Sequence, residues 1–224
     1  MSEPLTKTER TRLRRAPTRG SHDRAAIHAI LDAAPLAHVA AADGDLPVVR
    51  PMTHWRIGDF LYLHTAKVGQ LAKLACDGKT LCVSVAIVDG MVLARSAFAH
   101  SVNYRSVTLF AAATEVTDPA EKEKVLDALV DKVVPGRSGL LRPMTTKERD
   151  ATLVLKMPID EASAKSRLGP PRDAETDRDW PVWAGVIPLA LMPLPPVQDS
   201  SQPTRLEAPA LGPWAGSPPP SGQD

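Results

Sequence analysis

The chain predicts a mainly β fold with inserted helices, a closed or nearly closed antiparallel barrel with helices at its ends and edges. Three observations lead there. Apolar runs of strand length follow one another at short intervals, at residues 36–42, 47–57, 60–65, 80–88, 91–94, 107–116, 152–157 and 182–188. Several of the gaps are tight turn signals (Asp43-Gly44-Asp45, Gly58-Asp59, Asp89-Gly90), and strands joined this closely must largely pair antiparallel. Finally, 224 residues that are 43% apolar can bury a sizeable core, and that length suggests one domain with tails. The expected total is roughly six to eight strands and about four helices.

Residues 1–20 are polar and basic (Arg10, Arg12, Arg14, Arg15, Arg19) and read as a flexible or surface-hugging arm. Such an arm can reach over a neighbouring subunit or an anionic ligand. Ser21 is the expected N-cap of a helix that buries Ile27, Ile30 and Leu31. That helix ends near Ala34-Pro35, because the residue before proline disfavours the helical region. A strand at 36–42 is followed by a second at 47–57, whose Pro51 places part of it at an edge or bulge. A third at 60–65 completes a meander. Val68, Leu71, Leu74 and Ala75 have helical spacing and stop at Asp77-Gly78. Asp89-Gly90, between 80–88 and 91–94, is a strong hairpin signal. After the strand at 107–116, Asp118-Pro119 with Glu121 opens a helix whose buried stripe is Leu126, Leu129, Val130 and Val133. Thr145-Thr-Lys-Glu148 is a capping box before the strand at 152–157. A polar, proline-interrupted segment at 160–181 leads to the last strand at 182–188. The barrel domain is thus expected over 21–192. Pro, Ser, Gly and Gln dominate 193–224, which predicts a disordered tail with Trp214 solvated.

Composition excludes several functions. The formal net charge of +1 implies neither a nucleic-acid surface nor an acidic-substrate surface. Aromatic residues at 4% are too few for base stacking. Cys76 and Cys82 have no metal or redox spacing and read as buried apolar thiols. The histidines (His22, His28, His38, His54, His64, His100) show no zinc spacing, so no metal site is expected. There is no P-loop, dinucleotide glycine motif or nucleophile elbow. Neither a signal-peptide apolar region nor a run of membrane-spanning length is present, so the expectation is a cytoplasmic protein without membrane or nucleic-acid partners.

Two stretches carry chemistry. Residues 95–107 hold two arginines, a histidine, an asparagine, a tyrosine and three serines in thirteen positions, far more donors than a turn requires. They suit an anion or a polar ring edge. Residues 61–69 run from a strand into a helix. There the Thr65 hydroxyl and Lys67 ammonium meet unsatisfied backbone N–H groups and the positive end of the macrodipole, a ready phosphate site. The same two residues also serve as an ordinary cap and surface charge. On one barrel, both stretches can converge on an anionic ligand that carries a polar ring.

Several segments carry a family likeness: Pro51-Met52-Thr53, residues 59–64, 92–98 and 100–107, Val134-Pro-Gly-Arg137, residues 165–170, and Pro181-Val-Trp-Ala-Gly185. On these the chain resembles the pyridoxamine 5′-phosphate oxidase-like, FMN-binding split-barrel proteins. It is most like the branch that holds nitroimidazole-resistance and flavin-nucleotide-binding proteins. The resemblance implies a six-stranded antiparallel split β-barrel of the FMN-binding type. It implies a homodimer with FMN in two interface grooves, FAD, F420 and haem being the alternatives. Pro51, Met52 and Thr53 then lie along the flavin ring through backbone contacts. The family's phosphate grip, serine-arginine-lysine in kind, reads Thr65-Ala66-Lys67 here, with Gln70 beside it. Arg95 or Arg105 can compensate for the missing arginine, and Ser96 is a further cofactor-binding candidate. Asn103, Tyr104, Arg105 and Ser106 serve the ring and the dimer groove, and Trp183 comes from the partner subunit. His64 and Tyr104 are the candidate catalytic pair, as proton relays. The implied activity is that of a flavoprotein oxidoreductase acting on a small molecule, a nitroaromatic among the candidates. The alternative is a haem- or F420-binding module without robust turnover. No C-terminal arginine/histidine pattern for a vitamin B6 substrate is present, so that particular reaction is not expected.

Overall fold

The computed structural model describes residues 3–202 and 204–212, and Trp214 lies outside them. The elements in chain order are β1 (Gly20–Ser21), α1 (Arg24–Ala33), β2 (Ala37–Asp43), β3 (Leu46–Met52), β4 (His54–Ile57), β5 (Phe60–Ala66) and α2 (Gln70–Cys76). They continue with β6 (Thr80–Leu93), β7 (Ser101–Ala112), β8 (Thr114–Glu115), α3 (Pro119–Val133), α4 (Thr146–Ala151), β9 (Thr152–Pro158), β10 (Ala162–Arg167) and β11 (Gly185–Pro188). One sheet runs β1-β10-β7-β6-β2-β3, with β11 added alongside β6, and the other runs β4-β5-β9-β8, every pairing antiparallel. This is the expected antiparallel split barrel with four α-helices inserted.

The chain passes between the two sheets across single residues at Thr53 and Ala113. The strand expected over 47–57 is therefore two strands in two sheets. Pro51 lies opposite His38 on β3, the edge strand, the position in a sheet where proline is tolerated. Strand alternation fills the interior with Val39, Val83, Val85, Val107 and Leu109 from one sheet and Leu61, Leu63, Leu153, Leu155 and Met157 from the other. Each such buried side chain contributes about 1.5–3 kcal/mol. Ile27, Ile30 and Leu31 of α1 and Leu71 and Leu74 of α2 join this core. A second cluster, Trp55, Tyr62, Val116, Val125, Leu126 and Val154, packs α3 onto the outer face of the smaller sheet.

Several local expectations change. Asp23, not Ser21, caps α1, accepting from the Ala26 N–H at 3.0 Å, while the Ser21 hydroxyl accepts from Asp23 one step earlier. Val68 is 96% exposed, because α2 begins only at Gln70. On α3 the buried positions are Lys122, Val125 and Leu126, while Val133 is exposed. Cys76 is exposed at the end of α2, and Cys82 is half-buried, with burial pushing its thiol pKa up. The capping box at Thr145 and Glu148 is present as expected.

The Asp89-Gly90 hairpin is overturned. β6 continues through it, pairing with β7 on both sides, and the two residues form a β-bulge where Val88 faces Tyr104 and Gly90 faces Asn103. Two tertiary contacts hold the bulge. Asp89 turns inward onto Arg105, and a Cβ on Gly90 would lie 3.0 Å from the Ile187 carbonyl oxygen of β11. A further strand, β10, occupies part of the segment expected to be irregular. Its sequence Ala-Ser-Ala-Lys-Ser-Arg has no β-branched residue, and it holds through its ladders to β7 and β1.

The N-terminal arm hugs the surface. Leu5 is buried and donates its N–H to the His22 carbonyl at 2.8 Å, and Arg10 pairs with Glu161 while lying over the Phe110 ring. The described part of 193–212 forms no helix or strand, and Gly212 donates to the Val133 carbonyl at 2.8 Å.

Candidate functional site

The first candidate region is the seam where β3 gives way to β4. β3 and β4 are terminal strands of their sheets, so the backbone groups on the open side of Pro51-Met52-Thr53 have no ladder partner. Thr53 is exposed, and its Oγ1 lies 3.4 Å from Nδ1 of His64, which β5 presents on the outer face of the smaller sheet. His64 stands 6.0 Å from the Trp55 ring, and Trp55 stacks on Tyr62 at 5.8 Å. Burial pushes the His64 pKa down, so the ring is neutral near neutral pH. Trp55 Nε1 in the same cluster is buried without a partner.

β5 then runs through Thr65 and Ala66 to exposed Lys67, whose Nζ has, among the described residues, only Glu115 at 3.9 Å. Gln70 is occupied, donating to Asp43 at 2.8 Å. The helix that follows is seven residues long and its N-cap, Gly69, offers no side-chain cap. Lys67 and Thr65 are therefore the open donors here, with little help from a macrodipole.

The second candidate region, 95–107, is arranged differently. Only 94–100 is a connection, and from Ser101 onward the residues belong to β7. Arg105 grips Asp89 with both forks, at 2.9 and 2.7 Å, and the two side chains are 14% and 3% exposed. Arg95 donates from its backbone N–H and its guanidinium to Asp173, at 2.8 and 2.9 Å. Burial pushes the Asp173 carboxyl pKa up, but these bonds outweigh it and hold it below its ordinary value. Asn103 is buried and donates to the Gly169 carbonyl at 3.2 Å while accepting from Arg167. Ser106 donates to the Lys165 carbonyl, and His100 Nδ1 sits 2.9 Å from the Ser96 carbonyl. Arg95 and Arg105 are therefore committed to carboxylates of their own chain and are not free phosphate donors. Tyr104 is half-buried, opposite Arg167 in the β7–β10 ladder. Trp183 is 64% exposed, its ring lying over Gly185, where a Cβ would come within 2.9 Å of it.

The split barrel agrees with what comparison with known proteins finds. A family profile described as Pyridoxamine 5′-phosphate oxidase matches residues 23–166. The chain belongs to that family. The flavocytochrome Anf3 from Azotobacter vinelandii is 40% identical, with a TM-score of 0.86 over 92% of this chain and 96% of its own. An FAD- and heme-binding protein from Mycobacterium smegmatis is 37% identical, with a TM-score of 0.80 over 84% of this chain and 94% of its own. A putative 5-nitroimidazole antibiotic resistance protein from Bacteroides thetaiotaomicron shares the fold, at 21% identity and a TM-score of 0.56 over 65% of this chain and 85% of its own. A comparison with curated protein sequences gives no match.

The family match covers the seam, β7 and most of β10, and stops before β11 and Trp183. Sequence reasoning missed Asp89, Asp173 and Arg167. The available signal was Asp89 itself, an acid in the middle of an apolar β run, where a paired charge is the ordinary explanation. Asp173 and Arg167 offered no such signal. Among the described residues no group of three potential metal ligands occurs, and no helix is long and apolar enough to cross a membrane.

Proposed function

We propose that the chain is a flavin-binding redox protein that works as a homodimer, with the flavin at the β3–β4 seam and haem as a second group. The observation that carries this reading is the 40% identity, over 92% of the chain, to a flavocytochrome. The FAD- and heme-binding relative at 37% supports it and favours FAD over the family-level expectation of FMN.

The seam fits a flavin nucleotide in its chemistry. Unpaired backbone groups along Pro51-Met52-Thr53 suit the polar edge of the ring, and Thr65 and Lys67 are open donors for a phosphate. A bound flavin supplies the electron transfer, while the protein holds, orients and shields it. Neutral His64, with Nδ1 beside the Thr53 hydroxyl, is placed to hold or pass a proton at its other ring nitrogen. For haem, His100 has the better-oriented ring. Its Nδ1 is engaged by the Ser96 carbonyl, the outer-shell contact that leaves Nε2 to act as ligand. His64 is the second candidate ligand. Phe98, Trp180, Val182, Trp183 and Leu191 are exposed large apolar side chains, of the kind a second copy covers.

An absorption spectrum of the protein as purified, with mass spectrometry of released ligands, tests the reading. Flavin absorbance and a Soret band are expected, the latter lost in His100→Ala or His64→Ala. A colourless protein that takes up neither FAD, FMN nor haem overturns it. Sedimentation tests the dimer. The reading as a binding module without turnover is favoured if the reduced flavin is not reoxidised by nitroaromatics or other small acceptors.

A further inference from the structure

Arg167 ends β10 and is only 5% exposed, yet it differs from Arg95 and Arg105. Arg95 and Arg105 each face a carboxylate. Arg167 donates instead to Asn103 Oδ1 and to the carbonyls of Gly169 and Pro170, both at 3.1 Å, all neutral acceptors. Gly169 sits at φ +92°, a left-handed conformation that glycine tolerates and that turns the chain back around the guanidinium. Among the described residues no carboxylate forms an ion pair with Arg167. A guanidinium carries five N–H donors, and among the described residues the three bonds above leave two without an acceptor.

Its surroundings are positive as well. Burial pushes the Arg167 pKa down most strongly, and the charges of Arg19 and Arg172 push it further in the same direction. Tyr104 stands across the ladder from it. Arg172 is exposed and Arg19 half-exposed, so the cluster opens to solvent on their side. A buried charge without a counter-ion is costly, and buried charges are ordinarily paired. A guanidinium with donors to spare selects an oxyanion, since the fork matches phosphate and carboxylate geometry.

We propose that Arg167, with Arg19, Arg172 and the Tyr104 hydroxyl, forms a seat for an oxyanion, a phosphate or carboxylate group of a bound ligand. Asn103, together with the Gly169 and Pro170 carbonyls, positions the guanidinium. The seat stands apart from the flavin reading, because a free anion can occupy it.

Calorimetric titration of the full chain with inorganic phosphate, and separately with succinate, at constant ionic strength, tests it. Saturable binding of at least one anion is expected, weakened by about tenfold or more in Arg167→Gln. Arg172→Ser, at the exposed rim where folding is not at stake, is expected to weaken it several-fold. If neither anion binds better than chloride, or if both variants bind as the parent does, the proposal fails. Uptake of FAD against riboflavin, and of haem against its dimethyl ester, identifies the source of the anion. The pair whose charged member loses its advantage in Arg172→Ser is the one seated there. If neither pair responds while phosphate or succinate binding falls, the seat serves a free anionic substrate. A protein that binds phosphate through Arg167 but takes up no flavin keeps the seat and sinks only the flavin reading.

Discussion

Arg105 holds Asp89 through two bonds of 2.9 and 2.7 Å with both side chains almost out of water, whereas Lys67 has, among the described residues, only Glu115 at 3.9 Å and is half-exposed. The two regions look alike in sequence, each a run of donors beside a strand. In the structure the Arg95 and Arg105 guanidinium groups, Asn103 and Ser106 are engaged by the protein's own acids and carbonyls, whereas Thr65 and Lys67 of the seam are open. Donor density therefore reports a polar network, and only the position of the matching acids shows whether the network is closed. Asp89 lies on the neighbouring strand and Asp173 far along the chain, so closure was invisible until the fold brought them in.

The largest effect that can break this comparison is at Asp89. Asp89→Ala leaves Arg105 buried and unpaired, and removing one partner of such a pair costs about 3–5 kcal/mol. The loss appears as a lower denaturant midpoint with an unchanged slope. Replacing both residues by leucine recovers most of it, because no orphan charge remains. A midpoint shift no larger than that of an exposed pair means the network is not closed after all.

Much of the barrel was legible. The turn signals at Asp43-Gly44 and Gly58, the cap at Asp118 and the capping box at Thr145 are local devices whose chemistry acts within four residues. What failed depends on distant chain. Asp89-Gly90 has hairpin chemistry, but β7 pairs across both flanks and β11 passes over the glycine, so tertiary pairing overrides the turn. β10 has no strand-like composition and is held by its neighbours on both sides. At the site, Thr53, His64 and Lys67 were readable as polar residues at strand ends. Arg167 was not, because nothing near it in sequence distinguishes an arginine without a carboxylate from one that has found its acid.

The next effect sharpens the seam's inner side. His54, one residue beyond Thr53, faces the core and its Nε2 lies 2.8 Å from the Leu31 carbonyl. Burial, then the nearby charge of Lys132, lowers its pKa from 6.5 to about 4. Between those values the unfolded chain binds a proton that the folded chain refuses, so stability falls as pH drops from 6.5 toward 4. At about 1.4 kcal/mol per unit, the full loss is about 3 kcal/mol. His54→Gln keeps a donor for Leu31 and cannot titrate, so denaturation midpoints across this range should flatten. An unchanged pH slope in the variant places the titration elsewhere.

The smallest effect on stability is the most informative about function. Lys67→Ser removes a half-exposed ammonium from a loose pair, a change worth within about 0.5 kcal/mol of folding free energy. If Lys67 is a phosphate donor, the same change lowers flavin retention several-fold while the melting temperature of the ligand-free protein stays put. Flavin per chain after gel filtration, compared with riboflavin uptake, separates the two outcomes. Riboflavin has no phosphate and should be indifferent to the substitution. A variant that loses stability but not flavin moves Lys67 into the closed class with Arg105, and the seam then loses its claim to be the open one.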